Sequence, residues 1–256
     1  MNRRRAAAWL KQGGPPLIAV VLFALIWELL ADLLHIEQWI LPSPSAILQE
    51  GAASFPRIWM HTLATLKLTV IGFAAGVLCG MAIAVALHGI PGLKNALYPL
   101  LIVSQNIHPA ALGPLLMIWF GFGVLPKVIV VGLVCFFPVA VAMMDGLSHP
   151  DRTMLNYMRM IGASRSDVLF KLELPNSLPY LFSGLKIAAV YSVMGAVIGE
   201  WLGADKGIGV FIQLSRNSFN TTRVFDAIVV IIALSLVLFA VVAAAERLFV
   251  RWNPRK

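Results

Sequence analysis

Long uncharged stretches recur along this chain, separated by short segments that hold most of its charge. Each approaches the length, about 20 residues, that a helix needs to cross the hydrocarbon of a bilayer. The first runs over residues 17–34 and is interrupted by Glu28 and Asp32 near its far end. Residues 68–87 form a second with no charge at all. Residues 96–122 are too long for one straight span and carry Pro99, Pro109 and Pro114, each of which removes a backbone donor. The fourth covers 128–144. The fifth covers 183–201, with Lys186 near one end and Glu200 near the other, and the sixth covers 227–245. The pattern predicts an all-α polytopic membrane protein with about six spans.

Composition agrees. Hydrophobic residues make up 59% and charged residues 12% of the 256, where a soluble domain carries about 25% charged residues. The net charge of +8 would suggest nucleic acid in a soluble protein. Here it reads as Lys and Arg held on one side of a membrane, and no aromatic and basic interleaving of the single-strand-binding kind is present. Cys79 and Cys135 both lie in apolar runs and behave as small hydrophobes, with neither disulfide nor zinc spacing. The basic start, Arg3 to Arg5 and Lys11, precedes an apolar run without a small-residue cleavage pattern, so the first span is expected to be retained.

Loop charges set the expected orientation. In a six-span chain Arg3, Arg4, Arg5, Lys11 and Lys94 share one side with Arg152, Arg159, Arg165, Lys171 and the tail cations Arg247, Arg251, Arg255 and Lys256. The other side has fewer: Arg57, Lys127, Lys206, Arg216 and Arg223. The positive-inside rule then places both termini in the cytoplasm. Leu41-Pro42-Ser43-Pro44 with 45–53 is expected as an outer link with an interfacial helix, and 204–223 as a second outer loop.

The most polar structured segment lies between spans four and five. Met154, Leu155, Met158 and Ile161 share a helical face over 153–161, and Gly162 permits a sharp bend. Ser164 to Asp167 has capping-box spacing, so a second short helix starts there, and Pro175 is expected to end it. Physical chemistry alone leaves two readings open: a helix-turn-helix presented to another protein, or an amphipathic loop lying on lipid headgroups.

Gly162, nine residues, then Leu172-Glu173-Leu174-Pro175, followed by Pro179 and Gly184-Leu185-Lys186-Ile187, resembles the EAA loop of ABC importer permeases. One departure stands out, since the naming Glu-Ala-Ala is here Asn156-Tyr157-Met158. Leu41-Pro42-Ser43-Pro44, Trp119-Phe120-Gly121-Phe122-Gly123, Phe136-Phe137-Pro138 and Gly199-Glu200-Trp201-Leu202-Gly203 resemble the branch serving nitrate, sulfonates, taurine and thiamine pyrimidine precursors. The run from Ser183 to Trp201 looks most like the hydroxymethylpyrimidine subgroup.

The resemblance implies a type I ABC importer permease acting as a dimer, with a homodimer expected, in a bacterial inner membrane. It implies an ABC ATPase partner docked on Asn156, Tyr157, Met158, Gly162, Ala163, Ser164, Leu172, Leu174 and Pro175. An extracytoplasmic binding protein would deliver the solute. The expected division is a tail, first span and outer link over 1–60, a permease core over 61–248 with its coupling loop at 150–178, and a basic tail over 249–256. No Gly-x-x-x-x-Gly-Lys-Ser/Thr occurs, so ATP and Mg are expected on the partner and no cofactor on this chain.

Polar groups within spans mark candidate paths. Gln105, Asn106 and His108, next to Pro109, form the densest such group, and Tyr191 and Ser192 join them as candidates for the translocation path. Helix-to-helix bonding is the alternative role for each. Glu28, Asp32 and Glu200 are read as solvated near the interface, with a Lys206 pair or a docked protein as alternatives for Glu200. Two rival functions receive less support. An ion-coupled carrier would need intramembrane acids or a repeat, and spans two, four and six hold no acid. A membrane enzyme would need a constellation that His61, His88, His108 and His149, dispersed along the chain, do not form.

Overall fold

The structure, a computed structural model, describes residues 3–90 and 92–250, and every regular element among them is a helix. In chain order they are α1 (Arg3–Leu33), α2 (Pro44–Ala53), α3 (Phe55–Gly89), α4 (Leu93–Ser104), α5 (Pro109–Phe120), α6 (Val124–Ser148), α7 (Arg152–Met160), α8 (Arg165–Val168), α9 (Leu174–Glu200), α10 (Ile208–Asn217) and α11 (Thr221–Phe249). Among the described residues, α3, α6, the helix over 165–200 and α11 are long and apolar enough to cross a membrane. The pair α4 and α5, bent by 100°, adds a fifth crossing if it counts as one broken span. The first predicted stretch, 17–34, falls almost wholly within α1. Residues 251–256 of the expected basic tail lie outside the described residues.

The chain divides into two compact groups, Met1–Ile58 with Phe211–Val229 and Trp59–Val210 with Val230–Lys256. The larger is organised by α6 and α9. Val131, Cys135, Val139, Met143 and Leu147 on α6 are buried in one core with Leu181, Ala188 and Ala196 on α9. The two backbones approach closely at Gly184, where a Cβ would stand 2.7 Å from the Pro138 carbonyl oxygen and from Ala142 Cβ. Small residues at such crossings supply the van der Waals packing that holds helices together in lipid. Helix α5 adds Leu116 against Val130 and Ile198, and Lys186 of α9 pairs with Glu246 of α11 at 2.6 Å.

In the smaller group, α2 starts at the Ser43 N-cap with Pro44 in its first turn. Glu28, read from the sequence as solvated, keeps a partly exposed setting and also caps this helix: its carboxylate accepts from the Ser45 amide at 2.9 Å and the Ser45 hydroxyl at 2.5 Å. An acid placed at a helix start offsets the unpaired amides there. Arg223 Nε donates to Glu50 at 2.6 Å, and Thr221 Oγ1 donates to the Trp39 carbonyl at 2.6 Å.

Two sequence expectations about connections change. The outer stretch 204–223 contains α10 rather than loop alone. Pro175 does not end the helix begun at Arg165, because a π-helical turn, Leu169–Glu173, carries it into α9. The Leu174 amide bonds to the Leu169 carbonyl across this wider turn, with Leu174 still helical at φ −62° and ψ −49°. The extra residue eases the clash between the proline ring and the carbonyl four residues earlier.

Candidate functional site

The polar loop is built from three local devices. Asp151 caps α7, its Oδ1 accepting from the Thr153 amide at 2.8 Å and the Met154 amide at 3.2 Å. At the other end Gly162 takes φ +75°, with its amide on the Arg159 carbonyl and the Ala163 amide on the Met158 carbonyl. That is the Schellman arrangement, and glycine enters its left-handed position without steric cost. A Cβ at Gly162 would meet nothing within 4 Å, so backbone conformation alone selects this residue. Ser164 then closes the predicted capping box. Its hydroxyl accepts from the Asp167 amide at 3.1 Å, and Asp167 accepts back from the Ser164 amide at 3.3 Å. Asp167, in the polar segment ahead of the apolar part of the helix, pairs with Lys171. The Lys171 and Ser164 contacts hold its carboxyl down to about 2.

The apolar face of α7 differs from the expected one. Leu155 and Met158 turn partly inward, whereas Met154, Tyr157, Met160 and Ile161 are exposed, Met160 at 79%. Asn156 and Ser164 are exposed, and Ala163, Leu172, Leu174 and Pro175 are half-buried. A cleft of about 710 Å³ lies behind the loop, lined by His88, Leu155, Arg159, Arg165 and Glu173 among others. Two of these lining residues, His88 and Glu173, pair through Nε2 and Oε2 at 2.8 Å.

The second region is the break between α4 and α5. The Asn106 amide donates to the carbonyls of Ile102 and Val103, both at 3.2 Å, closing the end of α4. His108 is extended at φ −67° and ψ 126°, and its Nδ1 accepts from the Ala110 amide at 3.3 Å, capping α5. Beside the break lies a cleft of about 760 Å³, whose lining includes Ser104, Gln105, Phe137, Asp145, Tyr191 and Met194. Of the five candidates for the path, Gln105 and Tyr191 line this cleft, while Asn106 and His108 serve as helix caps. Ser192 is fully buried and donates to the Ala189 carbonyl at 2.7 Å, so it faces the core instead. Asp145 was missed because it sits one residue beyond an apolar stretch, where an acid is unremarkable.

The third region overturns the reading of Glu200 as solvated. Its side chain is buried, with the residue 2% exposed. Oε1 accepts from Thr65 Oγ1 at 2.7 Å and Oε2 from the Gly209 amide at 2.7 Å. Thr65 accepts in turn from the Ile208 amide at 2.8 Å, and His61 Nδ1 from the Gly207 amide at 3.1 Å. Glu200 therefore caps the amide-rich start of α10, and Lys206 is not its partner. The polar positions His61 and Thr65, four apart and just ahead of an apolar run, were the available signal. They fall on one helical face, but nothing local links them to residue 200.

The sequence profile described as "Binding-protein-dependent transport system inner membrane component" matches residues 72–251. The formylaminopyrimidine transport permease protein ThiX of Halalkalibacterium halodurans is 31% identical over 242 residues, covering 94% of this chain and 96% of the relative. The riboflavin transport system permease protein RibX of Chloroflexus aurantiacus is 32% identical over 238 residues, covering 92% and 89%. A crystal structure of an amino acid ABC transporter shares the fold at a TM-score of 0.63 and 18% identity, over 80% of this chain and 98% of that one. These matches displace the ion-coupled carrier. The chain belongs to the family of inner membrane components of binding-protein-dependent transport systems, as a membrane-spanning permease subunit of an ABC importer.

Proposed function

We propose that the loop over 150–178 presents an exposed face, Met154, Tyr157, Met160 and Ile161, on which a separate ABC ATPase docks, and that the 760 Å³ cleft is part of the solute path. The observation that carries the first part is the doubly capped corner at Gly162, which displays Met154, Tyr157, Met160 and Ile161 to a partner. Exposed apolar side chains on a rigid, capped segment suit a protein groove. ATP and Mg reside on that ATPase. Both termini and the loop face the cytoplasm, following the charge bias, and two copies of the chain pair around the path. An extracytoplasmic binding protein selects the solute, so the cleft needs only weak polarity.

The solute is a small aminopyrimidine of the thiamine-precursor type. Similarity to the formylaminopyrimidine permease supports this, as does a cleft lining that combines the aromatic Phe136, Phe137 and Tyr191 with the polar Gln105 and Asp145.

The test is Gly162→Asp in the complete importer reconstituted in liposomes. The ATPase is expected to stop co-purifying with the permease, and uptake of formylaminopyrimidine to cease. Full assembly and uptake by this variant would remove the docking assignment. Uptake of riboflavin or taurine in place of the pyrimidine by the unaltered importer would leave docking intact and change the solute.

A further inference from the structure

The contact between His88 and Glu173 is the feature of the loop that docking leaves unexplained. Glu173 closes the π-helical turn Leu169–Glu173, directly before Leu174 and Pro175. His88 stands in the last turn of α3, the 35-residue helix. Their 2.8 Å pair has side-chain exposures of only 19% and 16%. Two large, mutually screened polar groups thus join the end of a membrane-crossing helix to the one irregular turn in the α8–α9 rod. The same residues line the 710 Å³ cleft that separates α7 from the end of α3. On one side of the turn the rod carries the capped loop, and on the other it enters the α6 packing. The cleft lies between α7 and the end of α3, and the π turn is the irregular point of the rod, a geometry frequent at functional sites.

We propose that His88 and Glu173 form a strut that holds the π turn to α3, so that displacement of the docked loop moves the membrane-crossing helices as one body. Glu173 is a positioning residue in this scheme: it touches neither solute nor nucleotide, and acts by fixing the turn. Without the strut the turn flexes, the loop follows the ATPase, and the cleft does not. The inference rests on the docking reading of the loop.

The experiment uses the whole importer in liposomes, with Cys79→Ser and Cys135→Ala, and Met194→Cys as a thiol reporter in the cleft. A water-soluble maleimide reports cleft access without nucleotide and after trapping with ATP and vanadate. In this parent, labelling is expected to differ about tenfold between the two states, the scale of an ordinary coupling between sites. Glu173→Ala is expected to abolish the difference while ATPase co-purification and ATP hydrolysis continue at parental rates. His88→Ala is expected to do the same. Glu173→Gln, whose side-chain oxygen still accepts from His88, is expected to restore the difference. A full nucleotide-dependent change in Glu173→Ala overturns the strut, as does its absence from the parent. Loss of ATPase co-purification in Glu173→Ala also overturns it, since the pair would then merely shape the docking surface. Gly162→Asp separates the two ideas: if it still assembles and still couples, the docking reading fails instead.

Discussion

Two prolines interrupt this chain's helices with opposite results. At Pro109 the preceding residue, His108, is extended and the chain turns by 100° between α4 and α5. At Pro175 the preceding residue, Leu174, stays helical and the rod runs on for 25 more residues to Glu200. Local chemistry favours the first outcome at both sites, because proline disfavours helical geometry in its predecessor. What differs is the packing downstream. The apolar window of the 165–200 helix is 61% buried, with Gly184 seated on the α6 backbone. Much of α4 and α5 is exposed, and side-chain caps replace the lost backbone bonds there. A proline therefore guarantees a missing donor. Whether the chain bends around that loss depends on neighbours that lie far away in sequence.

If packing holds α9 straight, spoiling the α6 crossing is the most damaging change available. Gly184→Leu drives a side chain into the Pro138 carbonyl and Ala142, costing about 3 kcal/mol. The expected result is a sharp fall in the thermal midpoint followed by gel filtration in detergent, with little correctly folded protein recovered. A variant as stable as the parent would shift the explanation of the straight helix from packing to the π turn itself.

The far end of α9 offers an intermediate test. Glu200→Ala removes the acceptor of the Gly209 amide and of Thr65 inside a buried cluster, a loss of about 2 kcal/mol. Glu200→Gln keeps one acceptor oxygen and should fall between the two in thermal midpoint. Equal stability of all three would mean that Glu200 does not clamp the start of α10.

These results bear on what a sequence can reveal. The apolar runs, the broken third stretch, the Gly162 corner and the Ser164 capping box all depend on residues within a few positions of each other, and the structure reproduces them. Glu200 with Thr65, and His88 with Glu173, join positions 135 and 85 residues apart. No local pattern encodes those distances, so the sequence reads Glu200 as a solvated end and assigns Glu173 no role of its own. The face of α7 was misjudged for a related reason. Helical spacing groups side chains, but neighbours distant in sequence decide which of them turn inward, as Leu155 does beside His88 and Glu173.

The first turn of the rod, Arg165–Val168, is capped by hydrogen bonds between residues three apart, and it should yield the smallest effect. Ser164→Ala deletes the cap at an exposed site, worth about 1 kcal/mol, and should speed amide hydrogen exchange over 165–168 without moving the thermal midpoint. Acid provides an independent route to the same loss. The Asp167 carboxyl is lowered from 3.8 to about 2 in the fold by Lys171 and Ser164. Its stabilisation is therefore complete above the ordinary value and disappears as the pH falls through about 2. Protection at 165–168, corrected for the intrinsic pH dependence of exchange, should hold down to the usual carboxylate range and fall only below it. Loss of protection near neutral pH would show that the Ser164 box does not govern this end, and that the partner-facing corner relies on the Gly162 turn alone.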